Sequence, residues 1–148
     1  MNPPLRSSDD RSALIDALVD GTVEAIATDH APHSREEKDV PFEAAPFGVT
    51  GLETAFASLN TSLVEAGLID LSTLLERMSA GPARIFDLER PRIAVGAPAN
   101  LVLLSTAATW RVTEERFRSR SANSWLLGRK LQGKVLLTVA AGRIAFEA

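Results

Sequence analysis

Leu14, Ile15, Leu18 and Val19 fall at i, i+1, i+4 and i+5, which draws one apolar stripe along a helix. Ser7 or Ser8 supplies its cap, Asp9 and Asp10 suit its first turn, and Gly21 closes it. Ahead of that helix, Pro3 and Pro4 keep residues 1–7 in a loop. Val23–Thr28 follows as a short apolar run, Val23, Ala25 and Ala27 alternating with Glu24, Ile26 and Thr28, and predicts a buried strand of the parallel type. The chain then turns polar through Ser34–Lys38, enough for one helical turn. It runs on through Pro41, Phe42, Pro46, Phe47 and Gly48 without periodicity. A long loop of prolines and aromatics beyond a strand's C-terminal end suits the wall of an active site. A helix is predicted over 50–66 with Leu52, Ala55, Phe56, Leu59, Leu63 and Val64 as its buried face. A second covers 71–79, capped by Asp70 or Ser72, and a third runs from Pro82 to about Leu88.

At Pro91 the pattern changes. Gly96–Asn100 is turn material and Leu101–Leu104 a short strand. Gly133–Val139, the turn Ala141–Gly142 and Arg143–Phe146 form a hairpin. The chain therefore divides into an α/β part over 1–90 and a small β module over 91–148. A single parallel strand cannot make a sheet, because a buried one needs neighbours on both sides. The pattern is that of the tail of a longer α/β chain.

Composition narrows the function classes. Of 148 residues, 45% are hydrophobic and 24% charged, with a formal net charge of −3, the balance of an ordinary globular protein. The mild acidity and the lack of a basic stripe argue against nucleic acid as a partner. No apolar run approaches the roughly 20 residues that span a bilayer. The N-terminus has no signal-peptide core, and there is no cysteine for a disulfide framework, so a cytoplasmic location is expected.

Candidate chemistry gathers where the run at 23–28 ends. Asp29 stands at the strand's C-terminal end, with the only two histidines of the chain, His30 and His33, in the turn after it. In parallel α/β folds, and above all in (β/α)8 barrels, that end carries the reactive groups. An Asp beside one His is more often a cap or an ion-pair member than a catalyst. Strand-end placement and the Asp-His-x-x-His spacing shift the balance towards function, since such a carboxylate can ligate a divalent ion and exchange protons with water. His33 is expected to face a ligand and His30 to pack or support. Catalytic zinc takes three protein ligands, so further ligands are required from elsewhere. Asn2 and Arg6 are weaker signals on position alone. Trp110 and Trp125 are read as core or interface aromatics, and Arg116–Arg120 as a solvated segment or a covered surface.

Three strings carry a family resemblance: Asn2-Pro-Pro-Leu-Arg6, Ala27-Thr-Asp-His-Ala-Pro-His33 and Ala45-Pro-Phe-Gly-Val-Thr-Gly-Leu-Glu53. Together they resemble the C-terminal part of class I dihydroorotases, cyclic amidohydrolases of the metal-dependent amidohydrolase superfamily. The resemblance covers essentially the whole chain. It implies the last part of a (β/α)8 TIM barrel, with 23–28 as its eighth strand, joined to the returning part of a small β-sandwich. It implies zinc, one or two ions per full-length subunit, with Asp29 as both metal ligand and catalytic carboxylate. Asp29 would take a proton from the attacking water and return it to the leaving amide nitrogen. Asn2, His33, Phe47 and Gly48 match the substrate-contacting positions, while His30 carries no role across.

The implied reaction is the reversible hydrolysis of (S)-dihydroorotate to N-carbamoyl-L-aspartate in pyrimidine biosynthesis. The family's His-x-His pair is absent, so this chain is expected to need the N-terminal part of the barrel and to be inactive alone. A homodimer or a complex with aspartate transcarbamoylase is the implied assembly. Asn123-Ser-Trp-Leu-Leu-Gly128 departs from the Ser/Thr-Pro-Phe pattern before the last hairpin, a difference expected to touch sandwich packing and not catalysis. Two alternatives stay open. One is a related cyclic amidase of the allantoinase or dihydropyrimidinase/hydantoinase type. The other is a non-catalytic scaffold for aspartate transcarbamoylase, against which the retained Asp29 and His33 weigh.

Overall fold

The computed structural model describes residues 2–148, an α/β arrangement in which short helices pack on a three-stranded antiparallel sheet. Helix α1 spans Ser8–Asp20, and of the two candidate caps Ser7 is used. Its hydroxyl accepts from the Asp10 N–H while the Asp10 carboxylate accepts from the Ser7 N–H, a reciprocal capping box. Gly21 ends the helix at φ 91°, in the left-handed conformation that costs glycine nothing. The predicted stripe is only half used. Ile15 packs into the core, whereas Leu14 and Val19 face solvent.

Residues 23–28, expected as a strand, carry no strand ladder, and Val23 lies in a bend. The reason is physical: among the described residues no strand lies alongside to pair with them. Helices hold the segment instead. The Ile26 N–H donates to the Arg77 carbonyl at 2.9 Å, and Arg77, itself buried, donates through Nε to the Leu18 carbonyl. At Gly81 the packing is closer still, since a Cβ there would lie 1.9 Å from the Glu24 carbonyl oxygen. A single parallel bridge, His30 to Val49, is all the pairing that follows.

The one-turn helix at Ser34–Lys38 is present as α2 (Arg35–Lys38), again with a capping box, here between Ser34 and Glu37. The single helix expected over 50–66 is instead three windings. A 3₁₀ turn at Leu52–Thr54 leads into α3 (Ala55–Leu59), which widens into a π-turn at Asn60–Val64. Leu52 is therefore exposed and not part of the buried face. The widening has a use: Asn60 and Thr61 both reach the sheet. Asn60 Nδ2 donates to the Thr106 and Gln132 carbonyls, and Thr61 Oγ1 accepts from the Gln132 N–H at 2.8 Å. Helices α4 (Leu71–Met78) and α5 (Ala80–Ile85) follow, Pro82 lying in the first turn of α5 as its ring requires.

The sheet has the order β1 (Leu101–Arg111), β2 (Lys130–Ala140), β3 (Arg143–Glu147). Strand β1 outruns the predicted Leu101–Leu104 by passing through a bulge. Between Ser105 and Thr109 it takes four steps while β2 takes two, from Lys134 to Gln132. The hairpin turn falls at Ala141–Gly142, both at positive φ, as a tight primed turn demands. Residues on the two sides of Pro91 share core clusters. Ala57 of α3 shares a core cluster with Val112, Leu126 and Leu131, while Leu104 of β1 packs against the cluster of Phe56, Ile69 and Leu74.

Candidate functional site

Apart from Asn2, the candidate residues and their partners lie in three segments that the fold draws together: 29–38, 46–53 and 118–123. Asp29 is exposed and sits at φ 45°, a left-handed conformation uncommon outside glycine but tolerated by Asp and Asn. Such backbone is found where surrounding structure enforces it, often at functional sites. The enforcement here is visible: the Ala31 N–H donates to the Val49 carbonyl at 3.0 Å, and two N–H groups converge on His30. The Asp29 carboxylate has no hydrogen-bond or ion-pair partner among the described residues.

His30 supports the site. Its Nδ1 accepts from the Gly51 and Leu52 N–H groups, both at 3.1 Å, so Nε2 carries the proton and faces Ser119 Oγ at 3.4 Å. Ser119 in turn donates to Glu53, whose carboxylate also accepts the Arg118 N–H at 2.8 Å and the Ser119 N–H at 3.0 Å. Burial pushes the Glu53 carboxyl up, but the Arg118 and Ser119 hydrogen bonds and the nearby His30 outweigh it and hold the group below its ordinary value. Sequence reasoning missed this network because Glu53, Ser119 and His30 are far apart along the chain. Arg116–Arg120, read as a solvated segment, provides two of its N–H donors and stacks Arg118 over the Phe146 ring at 4.9 Å.

His33 meets the loop expected to line the site. Its Nε2 donates to the Phe47 carbonyl at 2.8 Å, and its Nδ1 lies 3.4 Å from the Glu37 carboxylate. Gly48 is held at φ 113°, where a Cβ would lie 2.5 Å from that of Ala31, so only glycine fits. His33, Phe47 and Gly48 are thus brought together by the fold. Asn2 is exposed and makes no hydrogen bond to any of them. Asn123 corrects an expectation about its own segment. Its Nδ2 donates to the Gly48 carbonyl at 3.1 Å, and its carbonyl accepts the Thr50 N–H at 2.8 Å. The 123–128 departure therefore bears on the loop carrying Phe47 and Gly48, and not on sheet packing alone. Lys38 was also missed, although the Ser34-x-x-Glu37 capping signal fixes the turn that presents it.

A divalent ion can be weighed against this donor set. Both ring nitrogens of His30 and of His33 face partners, and among the described residues no three His, Asp or Glu side chains could share an ion. Of Asp29, His30 and His33, Asp29 alone presents an unengaged ligand atom, which fits one member of a metal site and not a whole one.

Comparison with known proteins now bears on this geometry. The profile described as "Amidohydrolase family" matches residues 2–145. A dihydroorotase of Caldanaerobacter subterraneus is 45% identical over 145 residues, 98% of this chain and 33% of that protein. A dihydroorotase of Anaeromyxobacter dehalogenans is 48% identical over 147 residues, 99% of this chain and 34% of that protein. Among solved structures, a D-hydantoinase (dihydropyrimidinase) from Thermus sp. superposes with a TM-score of 0.88 at 27% identity, over 99% of this chain and 33% of that one. An L-hydantoinase (dihydropyrimidinase) from Arthrobacter aurescens gives 0.88 at 29% identity, over 98% and 33%. The chain spans about a third of the length of the relatives it matches. No helix of the described residues is long and apolar enough to cross a membrane.

Proposed function

This chain belongs to the amidohydrolase family, and from that premise we propose that it is the C-terminal third of a zinc-dependent dihydroorotase, interconverting (S)-dihydroorotate and N-carbamoyl-L-aspartate for pyrimidine synthesis. The identity of close to half the positions with curated dihydroorotases supports that substrate. The observation that carries the reading is the Asp29 arrangement: a carboxylate on left-handed backbone, with no hydrogen-bond or ion-pair partner among the described residues, on a segment stitched to the Phe47–Gly48 loop. Residues 1–90 are then the last part of a (β/α)8 barrel and 91–148 the returning part of a β-sandwich. On this reading 23–28, which pairs with no strand here, would be a strand whose neighbours lie in the rest of the protein.

In the hydrolytic direction water adds to the ring amide carbonyl, the C–N bond breaks, and the proton taken from water ends on the departing nitrogen. Asp29 is the residue suited to that transfer and would be this chain's single ligand to zinc. Bound zinc would supply a Lewis acid for the carbonyl and lower the pKa of the attacking water. Asn2, His33 and the Phe47–Gly48 backbone are assigned to the substrate. The enzyme is placed in the cytoplasm, and its assembly is assigned to a homodimer or an aspartate transcarbamoylase complex.

Asp29→Asn in the full-length protein tests the assignment. Asn tolerates φ 45°, so the fold is expected to survive. Turnover of carbamoyl-aspartate should fall by a factor of about 1,000 or more, since one proton-transfer group supplies roughly 10²–10⁴ and a metal ligand is lost as well. Near-normal turnover would remove Asp29 from the chemistry. A second reading, a hydantoinase-type cyclic amidase, is favoured by the structural neighbours. A panel of ring substrates on the full-length protein decides it: preference for uncharged hydantoins over dihydroorotate would select that reading.

A further inference from the structure

We propose that Lys38 is a positioning residue that presents the Phe47 and Gly48 amides to substrate, an inference that rests on the dihydroorotase reading for the ligand but not for the loop geometry. Three successive carbonyls of this loop are each held by a side-chain donor. Lys38 Nζ donates to the Pro46 carbonyl at 2.6 Å and to the Gly48 carbonyl at 2.8 Å. His33 Nε2 takes the Phe47 carbonyl between them, and Asn123 Nδ2 shares that of Gly48. In a trans peptide the N–H points opposite to its carbonyl. Drawing the Pro46 carbonyl to Lys38 therefore turns the Phe47 N–H away from it, and drawing the Phe47 carbonyl to His33 does the same for the Gly48 N–H. Neither N–H has an acceptor among the described residues. Each N–H therefore keeps its donor free for water or for the oxygen of a ligand. The half-buried ammonium, paired with no carboxylate among the described residues, adds positive charge that favours an anionic ring substrate.

The short helix α2 makes the arrangement possible. Its capping box fixes one turn, at whose two ends His33 and Lys38 point into the same loop. Lysine is suited to the role because a compact ammonium with three donors can serve two carbonyls at once, and its charge strengthens both bonds.

The test uses the full-length protein with Lys38→Met, which keeps the apolar stem and removes the donors, and Lys38→Arg, which restores a cation. Lys38→Leu, which also lacks any donor, stands in if the Met variant does not fold. The first readout needs no substrate: chymotryptic cleavage after the exposed Phe47, followed by mass spectrometry, is expected to speed up roughly fivefold in Lys38→Met and to return towards wild type in Lys38→Arg. The second is the steady-state split. KM for dihydroorotate should rise roughly tenfold with kcat within about threefold, with partial recovery in the Arg variant. Cleavage at the wild-type rate in Lys38→Met or its Leu stand-in overturns the positioning role whatever the substrate. Faster cleavage with an unchanged KM overturns the link to ligand binding. If the wild-type enzyme turns over hydantoins and not dihydroorotate, the dihydroorotase reading alone falls, and the KM comparison is made on the ring it accepts.

Discussion

Glu53 shows how one residue ties distant parts of the chain. It sits in a 3₁₀ turn beside His30, yet its carboxylate is held by the backbone of Arg118 and the backbone and hydroxyl of Ser119. Those bonds stabilise the ionised form, so the folded-state pKa lies below the ordinary 4.5. A lowered carboxyl pKa contributes stability that is present above the unfolded value and is lost as pH falls through the folded one. The 51–54 and 118–119 segments should therefore loosen on acidification below about pH 4.5, seen as hydrogen exchange at the Arg118 and Ser119 amides that is faster relative to its intrinsic rate at each pH. Glu53→Gln should show that faster exchange already at neutral pH and lose the acid dependence. An unchanged acid profile in the Gln variant would show that another group titrates. Asp29, by contrast, was legible from its place at the end of an apolar run; what the residue pattern could not show was its left-handed backbone, enforced by contacts at Val49 and Gly51.

Among elements, the most instructive is the segment 23–28, whose apolar continuity is that of a strand but whose partners here are helices. Its fit against α5 depends on Gly81, where any side chain meets the Glu24 carbonyl at 1.9 Å. That neighbour is backbone and cannot rotate aside. Gly81→Ala should destabilise the fold by about 3 kcal/mol, at the upper end of overpacking costs. Thermal or denaturant unfolding of the full-length protein measures it, and a loss under about 0.5 kcal/mol would mean that the helix slides without penalty. The break of the 52–64 helix into three windings has the same origin. Periodicity alone reads it as one continuous helix, and only the sheet's bulge, with its carbonyls at Thr106 and Gln132, explains why Asn60 and Thr61 are displaced into a π-turn.

At the scale of the molecule, apolar surface is left uncovered. Leu14, Val19, Ile85, Phe86, Ile93, Val95, Val102 and Leu103 are each more than half exposed, far beyond the scattered singles expected of a monomer's surface. The chain also spans only about a third of its relatives, which provides a reason for the exposure. The 148-residue polypeptide expressed alone should bind the dye ANS and scatter light as an associating species, whereas the full-length protein should do neither. A monomeric, dye-silent polypeptide would show that these side chains are covered by rearrangement within the chain.

The sequence by itself determined the elements with strong local signals: the capped helix before Gly21, the one-turn helix after Ser34 and the hairpin at Ala141–Gly142. It also determined the family, because a contiguous string such as Thr28–His33 survives as a pattern whatever surrounds it. Tertiary structure alone decided what Lys38, Glu53, Asn60 and Asn123 do. Each acts through a hydrogen bond to backbone in another segment, and backbone carbonyls and N–H groups are the same at every position, so no residue pattern announces which of them a side chain will meet.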